Sequence, residues 1–384
     1  MSKLKVTIVT GSRAEYGLLK PLIEIFNNDE NVLFSLVVTG SHLSKEHGQT
    51  IIEIYNDGFN IFDKVEMLPD SDSTSSIASA CGQGVIKFSE LFQNKRPDLL
   101  IVLGDRYEIF SVCVSATFMK IPIAHIHGGE TTFGSIDETL RHSITKMSHI
   151  HFPANETYKK RIIQLGENPE SVFEVGSLGV DNILKNDFMQ KNDLEEILNF
   201  KFKKQNLLVV FHSETLGLSS KKIFSELLDA LSTLNNIGII FTFTNNDADS
   251  KIINQKIVEY TNLNKNAVAF QSLGQKLFLS LLNVVDGIVG NSSSGIIEAP
   301  TIKTGTLNIG SRQSGRVKAK SVIDCEADKV SIIRSIEKLL SSEFQNELNK
   351  TVNPYGNGGA AKKIYQVIKN IKLDRILQKK FYDF

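Results

Sequence analysis

Side chains able to do chemistry recur in this chain at one kind of position, directly after a short apolar run. Asp105 and Arg106 close "DLLIVLGDRYE", His127 and Glu130 close "IPIAHIHGGE", and Asp137 opens "DETLRHSITKM" with Arg141 one turn further on. Asp105, Glu130 and Asp137 bring several carboxylates into one region, the setting in which crowding and burial separate pKa values for general acid and base work. Arg13 in "TGSRAEYG" has the guanidinium fork that fits a phosphate, and His212 in "FHSET" could donate to one. The stretch "VGNSSSGIIEAP", residues 289 to 300, sets three serines and Gly295 between an apolar run and a helix start. Amides at a helix start lack partners within the helix and lie at the positive end of its dipole, which suits an anion, most often a phosphate.

Each feature also has a plainer reading. Serine before a helix is a good N-cap whatever else it does. Arg13 could make a surface salt bridge, and Asp105 beside Arg106 a local ion pair. Strand alternation puts His125 on the same face as His127, and a core histidine satisfied by backbone explains the former. Asp137 and Glu138 are ordinary first-turn acids, and Arg141 could pair with Asp137 on a helix surface. The glycine pair in "HGGE" would let backbone approach a ligand closely, and "KFKK" at 201 to 204 reads as a solvated face.

These groups must be positioned by the elements that precede them. "KVTIVTG", "FSLVVTG", "DLLIVLGD", "IPIAHIHG" and "HIHFPA" are short apolar runs, most followed by helical periodicity. The alternation restarts with "NLLVVFHSE", "IGIIFTFTN", "VDGIVGNS" and "GTLNIGS". Continuous apolar strands separated by helices predict parallel sheets covered on both faces, and two such sets predict two doubly wound α/β domains. The Gly-rich "FEVGSLGVDNIL" marks the joint, giving a first domain over 1–175 and a second from 176 onward. The polar clusters then sit at the carboxyl ends of strands, where open parallel sheets bind their ligands.

Composition narrows the function. At 384 residues the chain suits two domains, and 43 basic residues balance 43 acidic ones, so no net charge argues for nucleic acid or an anionic membrane. No GxGxxG follows the first strand and no GxxxxGK[ST] occurs, which argues against dinucleotide redox chemistry and P-loop phosphoryl transfer. The three cysteines, Cys81, Cys113 and Cys325, are far apart without metal spacing and are expected as reduced, buried thiols. A strand begins within a few residues of Met1 and no apolar run reaches about 18 residues, so a cytoplasmic protein without cofactor or metal is expected.

In their order the motifs "GSRAEYG", "LGDRYEIF", "HIHGGE", "RHSITKMSH", "GNSSSGIIE" and "NIGSRQSGR" span nearly the whole chain. They resemble those of the hydrolysing UDP-N-acetylglucosamine 2-epimerases of bacterial sialic acid synthesis and their relatives in the legionaminic acid pathway. The resemblance implies a glycosyltransferase-B type fold: two Rossmann-like doubly wound α/β domains, the second over 176–365, the active site in the cleft between them, and a last helix, 366–384, crossing back to the first. It implies a nucleotide site of Arg13, Arg106, His212, Ser292, Ser293, Glu298 and Arg312, with Glu298 on the ribose and Leu273 beside the uracil. It implies catalysis by Asp105, Glu130 and Asp137 with His127, Arg141 and His212, and it leaves open which side chain removes the C2 proton. The implied reaction eliminates UDP across C1–C2 and hydrates the glycal with inversion at C2. UDP-N-acetylglucosamine and UDP-N,N'-diacetylbacillosamine are alternative substrates, and a homodimer or homotetramer is expected. A glycosyltransferase would need an acceptor groove, and a nucleotide-sugar sensor would have no use for the clustered carboxylates.

Overall fold

The computed structural model describes residues 3–44, 48–68, 71, 73–132, 135–213, 220–234, 236–244, 250–271 and 273–383. Contacts divide the chain into two compact units, the first built from 1–130, 136–182 and 358–384, the second from 131–135 and 183–357.

The first unit carries strands β1 (Leu4–Thr10), β2 (Val32–Thr39), β3 (Ile61–Val65), β4 (Leu99–Leu103), β5 (Ile123–Ile126) and β6 (Ile150–Phe152). They pair in parallel in the order β3-β2-β1-β4-β5-β6. Ile8 and Ile101 enter one apolar cluster with Leu19, Phe26 and Ile364, while their chain neighbours Val9, Leu100 and Val102 enter another with Phe88 and Cys113. Strand alternation thus feeds both faces, which is why these strands read as unbroken apolar runs.

The second unit repeats the plan with β7 (Gln205–Val210), β8 (Ile237–Thr242), β9 (Ala267–Phe270), β10 (Gly287–Gly290), β11 (Gly305–Ile309) and β12 (Val322–Cys325). Its order β12-β11-β10-β7-β8-β9 is the first order read from the other edge, again all parallel. In both sheets the strand order reverses at one place, between β1 and β4 and between β7 and β10. Loops diverge there to opposite faces, leaving room at the carboxyl ends for a ligand.

The joint lies between Asn182 and Ile183 and the return at Gly358, against the expected 175/176 and 365/366. Val175 and Leu178 belong to the first unit's core, and Asn182 Nδ2 donates to Gly17 O at 2.7 Å. Asp181 caps the returning helix, its two carboxylate oxygens accepting from the Ala360 and Ala361 amides at 3.0 and 2.8 Å. That helix runs over Ala360–Asn370, not 366–384. Ile371 turns extended, and Ile371, Leu373 and Ile376 pack against the first unit's core. Tertiary burial of those apolar side chains ends a helix that lacks a C-capping glycine. Of the thiols only Cys113 is buried; Cys81 and Cys325 are half-buried.

Candidate active site

At the first switch point, the loop after β4 delivers Asp105 and Arg106 as expected, but the two do not pair with each other. Arg106 binds Glu108 through Nε and Nη2 at 3.2 and 3.3 Å, and the buried Glu108 holds the guanidinium pKa above its usual value. Asp105 is paired with Arg141, whose Nη2 donates to its Oδ2. Arg141 is 2% exposed, so it is a buried anchor and not the surface group that helix spacing suggested. Its Nη1 donates to Glu130 O and to Glu138 Oε2, both at 2.9 Å. Burial opposes the charge on Arg141, and Asp105 and Glu130 overcome that and keep it protonated.

The two histidines of "HIHGGE" part company. His125 is buried, with Nε2 at 2.8 Å from Gly104 O and Nδ1 at 3.3 Å from Thr145 Oγ1, and burial pushes its pKa down to about 3. It is a structural histidine. His127 lies past the end of β5 with φ +64, a conformation costly for any residue with a Cβ, and its Nδ1 is 3.5 Å from Glu130 Oε1. The glycine pair serves packing, since a Cβ on Gly129 would fall 2.5 Å from Tyr158 O. Asp137 opens the helix Asp137–Met147 and is half-buried. Spacing alone could have found Glu138, which is three residues before Arg141 on that helix.

After β1, Ser12 caps the helix Arg13–Asn27, and Arg13 forms a half-exposed salt bridge to Glu53 at 2.9 Å. Glu15 is buried, and Gly11 N donates to its Oε2 at 2.7 Å. Burial, then the neighbouring Glu108, push its pKa up to about 8, so it carries its proton at neutral pH. Sequence reading missed both Glu15 and Glu108, whose types also suit any exposed helix.

The second switch point is organised by a residue that sequence reading passed over. Asn291 is buried; its side chain accepts from His212 N at 2.7 Å and donates to His212 O at 2.8 Å, tying the loop after β7 to the loop after β10. Its carbonyl accepts from Arg312 Nη1 at 3.1 Å and from Gln313 Nε2 at 2.8 Å. Four residues of three motifs are thereby fixed around Ser292 and Ser293. Before them Gly290 has φ +139, and a Cβ there would lie 2.0 Å from Val210 O, so only glycine fits. Burial, then Arg312, push the His212 pKa down to about 3, which leaves a neutral N–H donor at neutral pH. Glu214 and Thr215 of "FHSET" lie outside the described residues.

The helix after the serines is shorter than expected. It covers Ser294–Ile297 and restarts as Ala299–Ile302, because Pro300 has no amide to donate back along the helix. Its dipole is correspondingly weak, so anion binding would rest on hydroxyls and Arg312. Glu298 stands at the break, and Leu273, 9% exposed, precedes the helix Gly274–Leu282.

Two doubly wound parallel sheets of one strand order, each with polar loops at its switch point, define a protein of the glycosyltransferase-B type. The solved structure of a Methanocaldococcus jannaschii UDP-GlcNAc 2-epimerase in complex with UDP-GlcNAc and UDP shares this fold, with TM-score 0.81 and 19% identity over 95% of this chain and 99% of that one. The chain matches the UDP-N-acetylglucosamine 2-epimerase family over residues 24–369. It is 41% identical, over all of both chains, to the Campylobacter jejuni GDP/UDP-N,N'-diacetylbacillosamine 2-epimerase (hydrolyzing). It is 40% identical to the Escherichia coli polysialic acid biosynthesis protein P7, over 99% of this chain and 97% of that one. The chain belongs to the UDP-N-acetylglucosamine 2-epimerase family.

Proposed function

We propose that this chain is a hydrolysing 2-epimerase that converts UDP-N-acetylglucosamine and water to N-acetylmannosamine and UDP. The observation that carries the reading is the buried guanidinium of Arg141, which binds the carboxylates of Asp105 and Glu138 and the backbone carbonyl of Glu130 within the first unit. Such a cluster suits proton transfer at carbon and serves no purpose in mere nucleotide binding.

The second unit supplies nucleotide recognition. Ser292, Ser293, Arg312 and the neutral His212 donate to the diphosphate, Glu298 accepts from ribose hydroxyls, and Leu273 lies against the uracil. In the first unit Arg13 and Arg106 add positive charge for the leaving group. As the C1–O bond breaks, its electron pair goes to the UDP oxygen, where cationic donors stabilise it. A carboxylate among Asp105, Glu130 and Asp137 takes the C2 proton, and the C2–H pair becomes the C1–C2 double bond of a glycal. Water then adds at C1, and a protonated group delivers hydrogen to C2 from the opposite face. Arg141 keeps Asp105 oriented, and His127 turns its ring toward Glu130. No step needs a cofactor. Reduced thiols fit a cytoplasmic setting, and a homo-oligomer is the working assembly.

A second substrate has its own support. The relative at 41% identity is named for GDP/UDP-N,N'-diacetylbacillosamine, whose sugar differs from N-acetylglucosamine at C4 and C6. Incubation with each donor in heavy water, followed by NMR, tests both readings. The expected products are UDP and the free 2-epimeric sugar with deuterium at C2, and the faster donor is the substrate. A UDP-linked epimer as product, or a sugar retaining its C2 hydrogen, would overturn the proposal.

A further inference from the structure

Residues 379–382 are tied down to the first unit. Lys379 Nζ donates to the carbonyls of Lys146 and Ser148, both at 2.6 Å, and to the two carboxylate oxygens of Glu167 at 2.9 and 2.8 Å. Glu167 is 2% exposed and also accepts from Lys146 Nζ at 2.6 Å and faces His151 Nε2 at 3.0 Å. Two further contacts fix the segment. Tyr382 N donates to Gly166 O at 2.9 Å, and the Phe381 ring lies against Gly166 so closely that a Cβ there would be 2.3 Å from Cε2. Lys146 Nζ sits 4.9 Å from the centre of the Phe381 ring.

The place where this strap lands gives it meaning. Lys146 and Ser148 are the last turn and C-cap of the helix Asp137–Met147. A lysine on those carbonyls satisfies acceptors that the helix leaves open and opposes the negative end of its dipole. The N-terminal half of the same helix carries Asp137, Glu138 and Arg141, the last holding Asp105 and Glu130 O. Eleven helical residues form a rod about 16 Å long, stiff along its axis, so an anchor at one end sets the position of the other. Beside the anchor, Glu167 ties the rod to β6 through His151, and β6 pairs in register with β5, which leads to His127.

We propose that Lys379, on a strap formed by residues 373–383, is a positioning residue for the reaction: it holds the far end of the Asp137–Met147 helix and so fixes where Arg141 places Asp105. The proposal rests on the 2-epimerase reading for its effect on turnover, while its effect on the helix stands independently. Lys379 touches no reacting atom. Its loss should therefore lower kcat and leave nucleotide binding alone, the pattern of an interaction that matters in the transition state only.

The test compares Lys379→Met and Lys379→Arg with the unaltered chain. Amide hydrogen exchange over 138–148, kcat and KM for the UDP-sugar, and UDP affinity by calorimetry are measured for each. Lys379→Met is expected to speed exchange in the helix and lower kcat by about tenfold each, with KM and UDP affinity within about twofold. Lys379→Arg should restore most of both losses. Unchanged exchange would overturn the strap, and faster exchange with unchanged kcat would overturn the positioning role. An equal loss of UDP affinity would also overturn it, because it would signal general loosening. If the unaltered chain turned over neither sugar, the functional reading would fall, and the exchange arm would still decide whether the strap holds the helix.

Discussion

At the residue scale the decisive group is Arg141, a cation 2% exposed among carboxylates. Asp105→Asn and Asp137→Asn preserve shape while removing basicity, so each should lower turnover by at least about 10²-fold, the lower end for loss of general acid–base catalysis. UDP affinity should hardly change, and steady-state kinetics beside calorimetry reads both; a parallel loss of UDP binding would take these aspartates out of acid–base work. Arg141→Met should be worse for the fold. It leaves Asp105, which is partly exposed to solvent, without its charge-assisted partner, a loss of about 1.5–3 kcal/mol measurable by urea unfolding. Sequence could mark Arg141 and Asp105 as candidates but could not join them, since 36 residues separate them and the pair forms only when β4 and the Asp137–Met147 helix assemble. The same limit applied to His125 and His127, which share a strand face by alternation. Only the structure shows one satisfied by Gly104 O and the other turned at φ +64 beyond the strand end.

At the scale of elements, the loop after β10 is held from two sides, through Asn291 to His212 and through Asn291 O to Arg312 and Gln313. Ser293→Ala combined with Arg312→Ala should weaken UDP binding by about 3–6 kcal/mol, two charge-assisted contacts to phosphate. That is roughly 10²- to 10⁴-fold in Kd, and unchanged affinity in a folded double variant would place the nucleotide elsewhere. The strands that carry such loops were legible because they are buried on both faces. Those that sequence reading passed over, β3, β9 and β12, lie at sheet edges, and their residues are largely half-buried or exposed. An edge strand covers less apolar surface, so its sequence keeps less of the apolar run. The final helix was overextended for the opposite reason: Ile371, Leu373 and Ile376 continue an apolar pattern, and packing onto the core uses it in an extended segment.

For the molecule as a whole, acid should be the weak side. His42 and His125 are fully buried in the folded chain, with pKa values pushed down by burial to about 4 and about 3. Above about pH 6.5 both folded and unfolded forms are neutral at these sites and nothing is at stake. Below it the unfolded chain takes up protons that the folded chain refuses, so stability falls as pH drops toward 4, by up to about 1.4 kcal/mol per pH unit for each histidine. Urea unfolding at a series of pH values checks this, and a flat profile from about pH 7 to 5 would mean that these rings charge in place. Much of the architecture was settled by sequence alone: two doubly wound α/β units, because apolar runs repeat in two sets and a parallel strand must bury both faces. The chemistry was bounded in the same way, since polar residues that follow such strands can only collect at carboxyl ends. Tertiary structure decided what local pattern cannot hold. It set the unit boundary at Asn182, the grouping of 131–135 with the second unit, the partner of each charge, and the use of Lys379 as a helix anchor. Each of these depends on contacts between residues far apart in the chain, and periodicity carries no information about which distant groups will meet.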